Sequence, residues 1–186
     1  MITIVSGLPR SGTSLMMQML AAGGLPILTD DVRSADTDNP KGYYEFEAVK
    51  STADDASWLA GAEGKAVKMV YLLLYDLPPD REYSVIMMER NLREVIASQN
   101  RMLERLDEPA TPLGDDRIEA LFRIRLTKAT RWLDRQPNIH SLAVSYNKLI
   151  RHPRRYAKRV QRFLGADLDV AKMASVVDPS LYRQKR

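Results

Sequence analysis

The chain has 186 residues, of which 45% are hydrophobic, and its formal net charge is +4. This length suits one domain with a substantial core, so we expect a single domain over residues 1–186. The chain has no cysteine, which excludes disulfides, a catalytic thiol and cysteine-liganded zinc. It opens on a predicted strand, and no leader pattern precedes this strand. No apolar run approaches the length of about eighteen residues that a membrane-spanning helix needs. We therefore expect a cytoplasmic protein with no membrane span.

The basic residues concentrate on two predicted helices in the second half of the chain. One carries Arg117, Arg123, Arg125, Lys128, Arg131 and Arg135, and the other carries Arg151, Arg154, Arg155, Lys158, Arg159 and Arg162. Such a field favours anionic ligands. No helix-turn-helix, zinc-finger or RNA-binding signature accompanies it, so we interpret both helices as solvated surfaces and expect no nucleic-acid partner.

The first fourteen residues predict a phosphate-binding loop. Residues 2–5 form an apolar strand, and residues 7–14 (GLPRSGTS) lead from it into a helix. Backbone N–H groups that converge between two glycines hold an anion, and the positive end of the following helix adds to this attraction. The alternative is that Gly7 and Gly12 only permit the turn from strand to helix.

The loop follows the G-x-x-x-x-G pattern but has Thr13 where kinases and ATPases of the P-loop kind carry lysine. The missing lysine weakens neutralisation of a triphosphate that carries magnesium. Arg10 is the cation that the loop offers instead, and its planar guanidinium can contact two oxygens of a phosphate or sulfate at once. The segment resembles the 5'-phosphosulfate loop of sulfotransferases, which use 3'-phosphoadenosine 5'-phosphosulfate (PAPS) as donor.

Helical periodicity predicts the first helix after this loop, ending at Gly23 and Gly24. The same pattern predicts helices over residues 92–106 and about 116–135, and a last strong helix that ends near Leu164. We assign the methionines of these helices, Met16, Met19 and Met102, to the core.

Residues 26–44 are rich in Asp, Asn, Pro and Gly and show no clear period, so we predict a loop over the site that governs substrate specificity. At its end, residues 39–47 (NPKGYYEFE) are similar to an Asn-Pro-x-Gly-Tyr-x-Glu segment of bacterial sulfotransferase-like proteins. Glu45 is the candidate general base, because an attacking hydroxyl or amine must lose a proton. The alternative is that Glu45 only caps or salt-bridges locally.

Residues 66–74 predict a second strand, and the run 67–76 (VKMVYLLLYD) ends in an aspartate as a Walker B strand does. This run is the best support for an alternative function, a magnesium-dependent P-loop kinase or nucleotide hydrolase. The missing lysine counts against that alternative, and Asp76 before Leu77-Pro78-Pro79 fits a turn. On this strand Lys68 faces either the ligands or a solvated edge. A further alternative is a catalytically inactive nucleotide-binding module.

Residues 83–88 predict a third strand, and residues 90–98 (RNLREVIAS) follow it. They resemble the 3'-phosphate motif of sulfotransferases, in which an arginine and a serine eight positions apart bind the phosphate, as Arg90 and Ser98 are spaced. From the residues alone, Arg90 closes a strand at its carboxyl end, where ligands of open α/β sheets bind. We assign the neighbouring Arg93 and Glu94 to a solvent face.

A late strand is predicted at residues 141–144, within a stretch (142–153) that resembles the family's late strand and its Tyr-Glu-Asp-Leu turn. Asn147 and Lys148 depart from the usual acidic pair, which removes a familiar anchor for the turn at Tyr146. Histidine is the usual alternative base. However, His140 before the strand and His152 beside a helix-start proline occupy positions that favour structural roles.

The alternation of strands and helices predicts a mainly parallel sheet with helices on both faces. The resemblance, which extends from residue 2 to about residue 165, implies a P-loop nucleotide-hydrolase-like α/β/α fold and a PAPS-dependent sulfotransferase that requires no metal. It implies that the 5'-phosphosulfate is held by Pro9, Arg10, Ser11, Gly12, Thr13 and Ser14, and the 3'-phosphate by Arg90 and Ser98. Arg10 and Glu45 are the expected catalytic residues. The expected partner is a small-molecule, glycan or peptide acceptor, and no motif assigns an oligomeric state.

Overall fold

The structure, a computed structural model, describes residues 1–30, 42–109 and 113–182. Within these residues, five parallel strands form one sheet in the order β2-β3-β1-β4-β5. The strands are β1 (Ile2–Gly7), β2 (Ile27–Leu28), β3 (Ala66–Val70), β4 (Tyr83–Glu89) and β5 (Ile139–Ser145). The α-helices are α1 (Thr13–Ala22), α2 (Leu92–Arg105), α3 (Asp115–Leu133), α4 (Tyr146–Arg151), α5 (Pro153–Leu164) and α6 (Val170–Ser175). The predicted α/β class is confirmed.

Side chains of the central strands alternate between two separate cores. Ile4 and Val85 belong to the core that α2 and α3 cover. Val5 and Ile86 belong to the core that α1, α5 and α6 cover. Because both faces are buried, the strands appear in the sequence as nearly continuous apolar runs rather than alternating ones. The three predicted layers are therefore present.

The carboxyl ends of the three central strands are level with one another. Gly7 at the end of β1 is in register with Val70 of β3 and with Met88 of β4. β3 lies on one side of β1 and β4 on the other, so the strand order reverses direction at β1. Ligands of open α/β sheets bind in the crevice at such a point. The glycine loop, defined as residues 7–12, lies at this crevice.

Strand β3 is shorter than predicted. It ends at Val70, and the rest of the predicted strand belongs to a 3-10 helix, Tyr71–Asp76. Pairing with β1 stops at Gly7, so a longer strand would leave backbone groups without partners. The 3-10 helix buries Tyr71 and Leu74 at a spacing of three residues. Asp76 lies six residues past the strand end, which removes its similarity to a Walker B aspartate.

The predicted loop over residues 26–44 contains strand β2, which pairs with Ala66 and Val67 of β3. Two residues are too few to show the alternation that predicts a strand. Residues 31–41 lie outside the described residues. The predicted loop over the site therefore falls largely outside them, as does the Asn39-Pro40-Lys41 part of the similar segment.

The helices predicted from periodicity form close to their predicted bounds. Met16 and Met19 are buried, as expected, but Met102 is only partly buried and lines a cleft. α5 ends before Gly165, whose φ of 60° suits a helix C-terminus. None of the described helices is both long and apolar enough to cross a membrane.

Candidate active site

A cleft of about 930 Å³ lies at the carboxyl ends of β1 and β3 and against α2. It brings together most of the predicted site residues, which come from three separate parts of the chain. These are Pro9, Arg10, Gly12, Thr13, Ser14, Glu45, Arg90 and Ser98. The fold therefore assembles the proposed donor-binding residues and the candidate base around one cavity.

Ser11 is the predicted site residue that does not line this cleft. Its side chain is buried and lines a second hollow of about 360 Å³ beside α3, and its Oγ has no hydrogen-bond partner among the described residues. Its backbone N–H donates to the carbonyl of Leu8 at 3.1 Å. A Cβ on Gly7 would approach Ser11 Oγ to 2.5 Å and the Met88 carbonyl oxygen to 2.7 Å. Ser11 thus packs beneath the loop and requires glycine at position 7.

Three residues of the glycine loop have positive φ angles, and Gly7 has a φ of 151°. Gly12 has a φ of 100°, and a Cβ there would collide with the ring of Tyr146. Arg10 has a φ of 70°, which for a residue other than glycine costs about 1–3 kcal/mol. The Arg10 carbonyl accepts a hydrogen bond from Arg90 Nη1 at 3.1 Å, which holds this conformation. Strain of this kind clusters at functional sites.

The loop also contacts α2 through side chains. Arg10 Nε donates to Ser98 Oγ at 2.9 Å. Helix α2 positions Ser98, and Asn91 caps the helix by accepting hydrogen bonds from the backbone N–H groups of Arg93 and Glu94. The loop cation and the helix hydroxyl, 88 residues apart in the sequence, therefore form one polar edge of the cleft.

The Arg90 guanidinium is buried and held on several sides. Its side chain is 8% exposed, and Nε donates to Glu94 Oε2 at 3.0 Å. The guanidinium carbon lies 4.7 Å from the ring centroid of Tyr146 and 5.6 Å from that of Tyr182. With Nε on Glu94 and Nη1 on Arg10, two of five N–H groups are used, leaving three without an acceptor in the described part of the chain. A fixed cation with open donors suits an anionic ligand.

Glu94 is buried, so its assignment to a solvent face is wrong. Its side chain is 1% exposed and accepts hydrogen bonds from Arg90, from Asn147 Nδ2 and from the Tyr182 hydroxyl. Arg90, Glu94 and Ser98 are spaced four residues apart, which places them along one side of the same segment. That spacing is the sequence signal for Glu94. Arg93 is exposed, as predicted, and pairs with Glu119 at 3.0 Å.

Asn147 anchors the turn at Tyr146, although the acidic pair that usually does so is absent from this sequence. Its Oδ1 accepts from the backbone N–H of Asn91 at 3.1 Å, and its Nδ2 donates to Glu94 at 3.0 Å. These bonds connect the turn at Tyr146 to α2. Burial raises the pKa of the Tyr146 phenol above its ordinary value, so the ring that packs on Gly12 and Arg90 is neutral.

Glu45 pairs with Lys68 on the β3 side of the cleft. Lys68 Nζ lies 3.4 Å from Glu45 Oε1 and donates to the Tyr43 carbonyl, and the two side chains are 14% and 28% exposed. Lys68 therefore faces the cleft. The segment is anchored by Thr29 Oγ1, which donates to the Glu45 carbonyl, and by Ser14 Oγ, which donates to the Tyr43 carbonyl. Glu45 thus makes the local salt bridge considered as its alternative role and also lines the cavity.

Neither histidine lines the cleft. His140 is exposed, with Nε2 3.9 Å from a carboxylate oxygen of Glu82. His152 is also exposed and immediately precedes Pro153 at the start of α5. His152 has the predicted position at a helix start, whereas His140 lies within β5, which begins two residues earlier than predicted.

Other residues complete the walls of the cleft and were not predicted. They include Gln18, Arg101, Met102, Arg105, Val176 and Asp178. Arg101, Met102 and Arg105 follow Ser98 by three, four and seven residues, which is the spacing of one helix face. That periodicity is the signal that could have found them, whereas nothing in the local sequence marks Val176 or Asp178.

A family model described as the sulfotransferase domain matches residues 2–186. A search of curated sequences finds no significant match. Among solved structures, the sulfotransferase domain from the Synechococcus PCC 7002 olefin synthase is 20% identical with a TM-score of 0.55, covering 100% of this chain and 88% of that chain. A sulfotransferase from Alicyclobacillus acidocaldarius is 15% identical with a TM-score of 0.51, covering 97% and 98%. Mouse sulfotransferase SULT7A1 complexed with PAP is 15% identical with a TM-score of 0.54, covering 100% and 66%. At these identities the structures show a shared fold.

Proposed function

This chain belongs to the sulfotransferase domain family and is a sulfotransferase, and we propose that it transfers the sulfuryl group of PAPS to a hydroxyl or amine of its acceptor by in-line displacement. The observation that carries this proposal is the buried Arg90 beside the glycine loop, with three N–H groups open to a ligand. A donor with anionic groups at both its 5' and 3' positions suits such a cleft.

The residues present fit the two anionic groups of PAPS. The glycine loop and the N-terminus of α1 offer backbone N–H groups to the 5'-phosphosulfate, and the hydroxyls of Thr13 and Ser14 line the same cleft. Arg90 and Ser98 offer charge and a hydroxyl to the 3'-phosphate. Arg10 belongs to the loop and bonds to Ser98, so its guanidinium lies between the residues proposed for the two groups. Pro9 and Gly12 shape the loop, and Ser11 supports it from below.

Two side chains are proposed to act during transfer. Bound PAPS supplies an activated sulfuryl group. Glu45 accepts the proton of the attacking hydroxyl or amine, and its pairing with Lys68 orients the carboxylate in the cleft. Arg10 donates hydrogen bonds to the oxygen on which negative charge develops at the departing phosphate. The chain thereby provides a base on the acceptor side and a cation on the leaving-group side.

Glu45→Gln tests the proposed base. We expect the native chain to transfer label from radiolabelled PAPS to at least one class of acceptor in a panel of phenols, alcohols and amines. The variant should lower kcat about a hundredfold, because it loses general-base catalysis, and should bind the adenosine bisphosphate product with unchanged affinity. Glu47→Gln is the matched control, since Glu47 is two residues away and pairs with the exposed Lys50.

Two results would contradict this proposal. Undiminished turnover of Glu45→Gln would exclude Glu45 as the base. Donor binding by the native chain without labelling of any acceptor class would instead support the inactive nucleotide-binding module.

A further inference from the structure

We propose that Glu94, Asn147 and Tyr182 form a positioning network that fixes the Arg90 guanidinium for the 3'-phosphate of the donor. This inference rests on the proposed function, because it assigns Arg90 to that phosphate. It gives a role to Glu94, which lies within the 3'-phosphate motif, and adds Asn147 and Tyr182, which lie outside both phosphate motifs.

Glu94 is the centre of the network. Its carboxylate is buried, and it accepts hydrogen bonds from Arg90 Nε at 3.0 Å, Asn147 Nδ2 at 3.0 Å and the Tyr182 hydroxyl at 2.6 Å. A buried carboxylate is strongly unfavourable unless such donors compensate for lost hydration. A negative charge beside a phosphate site also opposes phosphate binding. Its presence here is therefore best explained by what it does to the orientation of Arg90.

Two hydrogen bonds and two aromatic rings hold the Arg90 guanidinium in place. Glu94 holds Nε, the Arg10 carbonyl holds Nη1, and the rings of Tyr146 and Tyr182 lie near its carbon atom. Arginine loses much rotamer freedom when it binds a ligand, and a guanidinium that is already fixed loses less. These contacts fix the guanidinium beside the cleft, and its three remaining N–H groups have no acceptor among the described residues.

Tyr182 closes the network from the C-terminal segment. Its hydroxyl donates to Glu94 and accepts from Asn147 Nδ2 at 2.7 Å. Its ring meets the ring of Tyr146 edge to face, with centroids 5.7 Å apart. Burial and the hydrogen bond to Glu94 raise the pKa of the Tyr182 phenol, so the hydroxyl keeps the proton that it donates. Donor affinity should therefore depend on a residue far in sequence from both phosphate motifs.

Glu94→Gln tests this role because it keeps the side-chain shape, removes the negative charge and replaces one of the two acceptor oxygens that serve Arg90 Nε and the Tyr182 hydroxyl with an NH2 group. The readout is calorimetric affinity for adenosine 3',5'-bisphosphate and for adenosine 5'-monophosphate, which lacks the 3'-phosphate. We expect the bisphosphate to bind about tenfold more weakly and the monophosphate to change less than about twofold. A merely structural role would weaken both ligands alike.

Glu119→Gln is the matched control, since Glu119 also pairs with two arginines, Arg93 and Arg123, but lies outside the cleft. It should change neither affinity by more than about twofold. In an Arg90→Ala background, Glu94→Gln should cause no further loss of bisphosphate affinity, because the residue acts through Arg90.

Tyr182→Phe keeps the test decisive if Glu94→Gln does not fold, because it removes only a hydroxyl. We expect about threefold to tenfold weaker bisphosphate binding with unchanged monophosphate binding. Tyr83→Phe is its control, since the Tyr83 hydroxyl donates to the Pro78 carbonyl away from the cleft. The positioning role would be overturned if Glu94→Gln and Tyr182→Phe both kept the native preference for the bisphosphate over the monophosphate. It would also be overturned if these variants bound the two nucleotides more weakly by the same factor. A native chain that binds both nucleotides equally would overturn the proposed function instead.

Discussion

The arginines of the cleft and the cations of α5 differ in burial and in partners. Arg90 is buried, ion-paired with Glu94 and stacked near two tyrosines. The cations of α5 lie on its exposed face and form no ion pair in the described part of the chain. They are Arg154, Arg155, Lys158, Arg159 and Arg162. The larger group of cations is therefore not the one that forms the candidate site.

This contrast shows that the local density of cationic side chains does not by itself identify an anion-binding site. An exposed guanidinium stays hydrated and mobile, and salt screens its interactions. A buried guanidinium is already desolvated and oriented before a ligand arrives. The α5 cations contribute to the field of the whole protein, whereas Arg90 presents specific donors at one place.

Arg10→Ala should produce the largest effect among the arginine substitutions. We expect kcat to fall about a hundredfold or more, because a donor aimed at developing charge is lost, while bisphosphate affinity falls much less. Steady-state kinetics and calorimetry on the same preparation measure the two quantities. Arg10→Lys, which keeps the charge without the planar fork, should recover part of the rate. A large loss of bisphosphate affinity with an unchanged kcat in Arg10→Ala would contradict the proposed role of Arg10 in stabilising the leaving group.

Arg90→Ala should act mainly on donor binding. We expect the bisphosphate to bind about tenfold to a hundredfold more weakly, because charge-assisted hydrogen bonds to a phosphate are lost, with little change in kcat at saturating donor. The substitution leaves the buried Glu94 without its cation, so thermal unfolding should be measured alongside. A fall in kcat at saturation with unchanged donor affinity would count against this assignment.

Removing two α5 cations should produce the smallest effect. For Arg155→Ala combined with Arg162→Ala, we expect bisphosphate affinity to stay within about twofold at physiological salt, since both side chains are exposed. Calorimetry at two salt concentrations measures this. A tenfold loss of affinity would show that surface charge, rather than the buried arginine, governs binding.

Local sequence signals predict most of the residues that line the cleft around the glycine loop, because these residues belong to short segments with their own spacing. The glycine loop, Arg90 and Ser98, and the periodic helices are of this kind. The burial of Glu94 is different, since it depends on Asn147 and Tyr182, which are 53 and 88 residues away in sequence. The end of β3 at Val70 is likewise set by the length of its neighbour β1. The pairing of Glu45 with Lys68 is also a contact between distant segments.

The most direct measurement is a calorimetric titration with adenosine 3',5'-bisphosphate, run in parallel with adenosine monophosphate and with ATP plus magnesium. A PAPS site predicts tight binding of the bisphosphate, weaker binding of the monophosphate, and loss of that difference in Arg90→Ala. Binding of ATP only with magnesium, and of neither other nucleotide, would contradict PAPS as the donor.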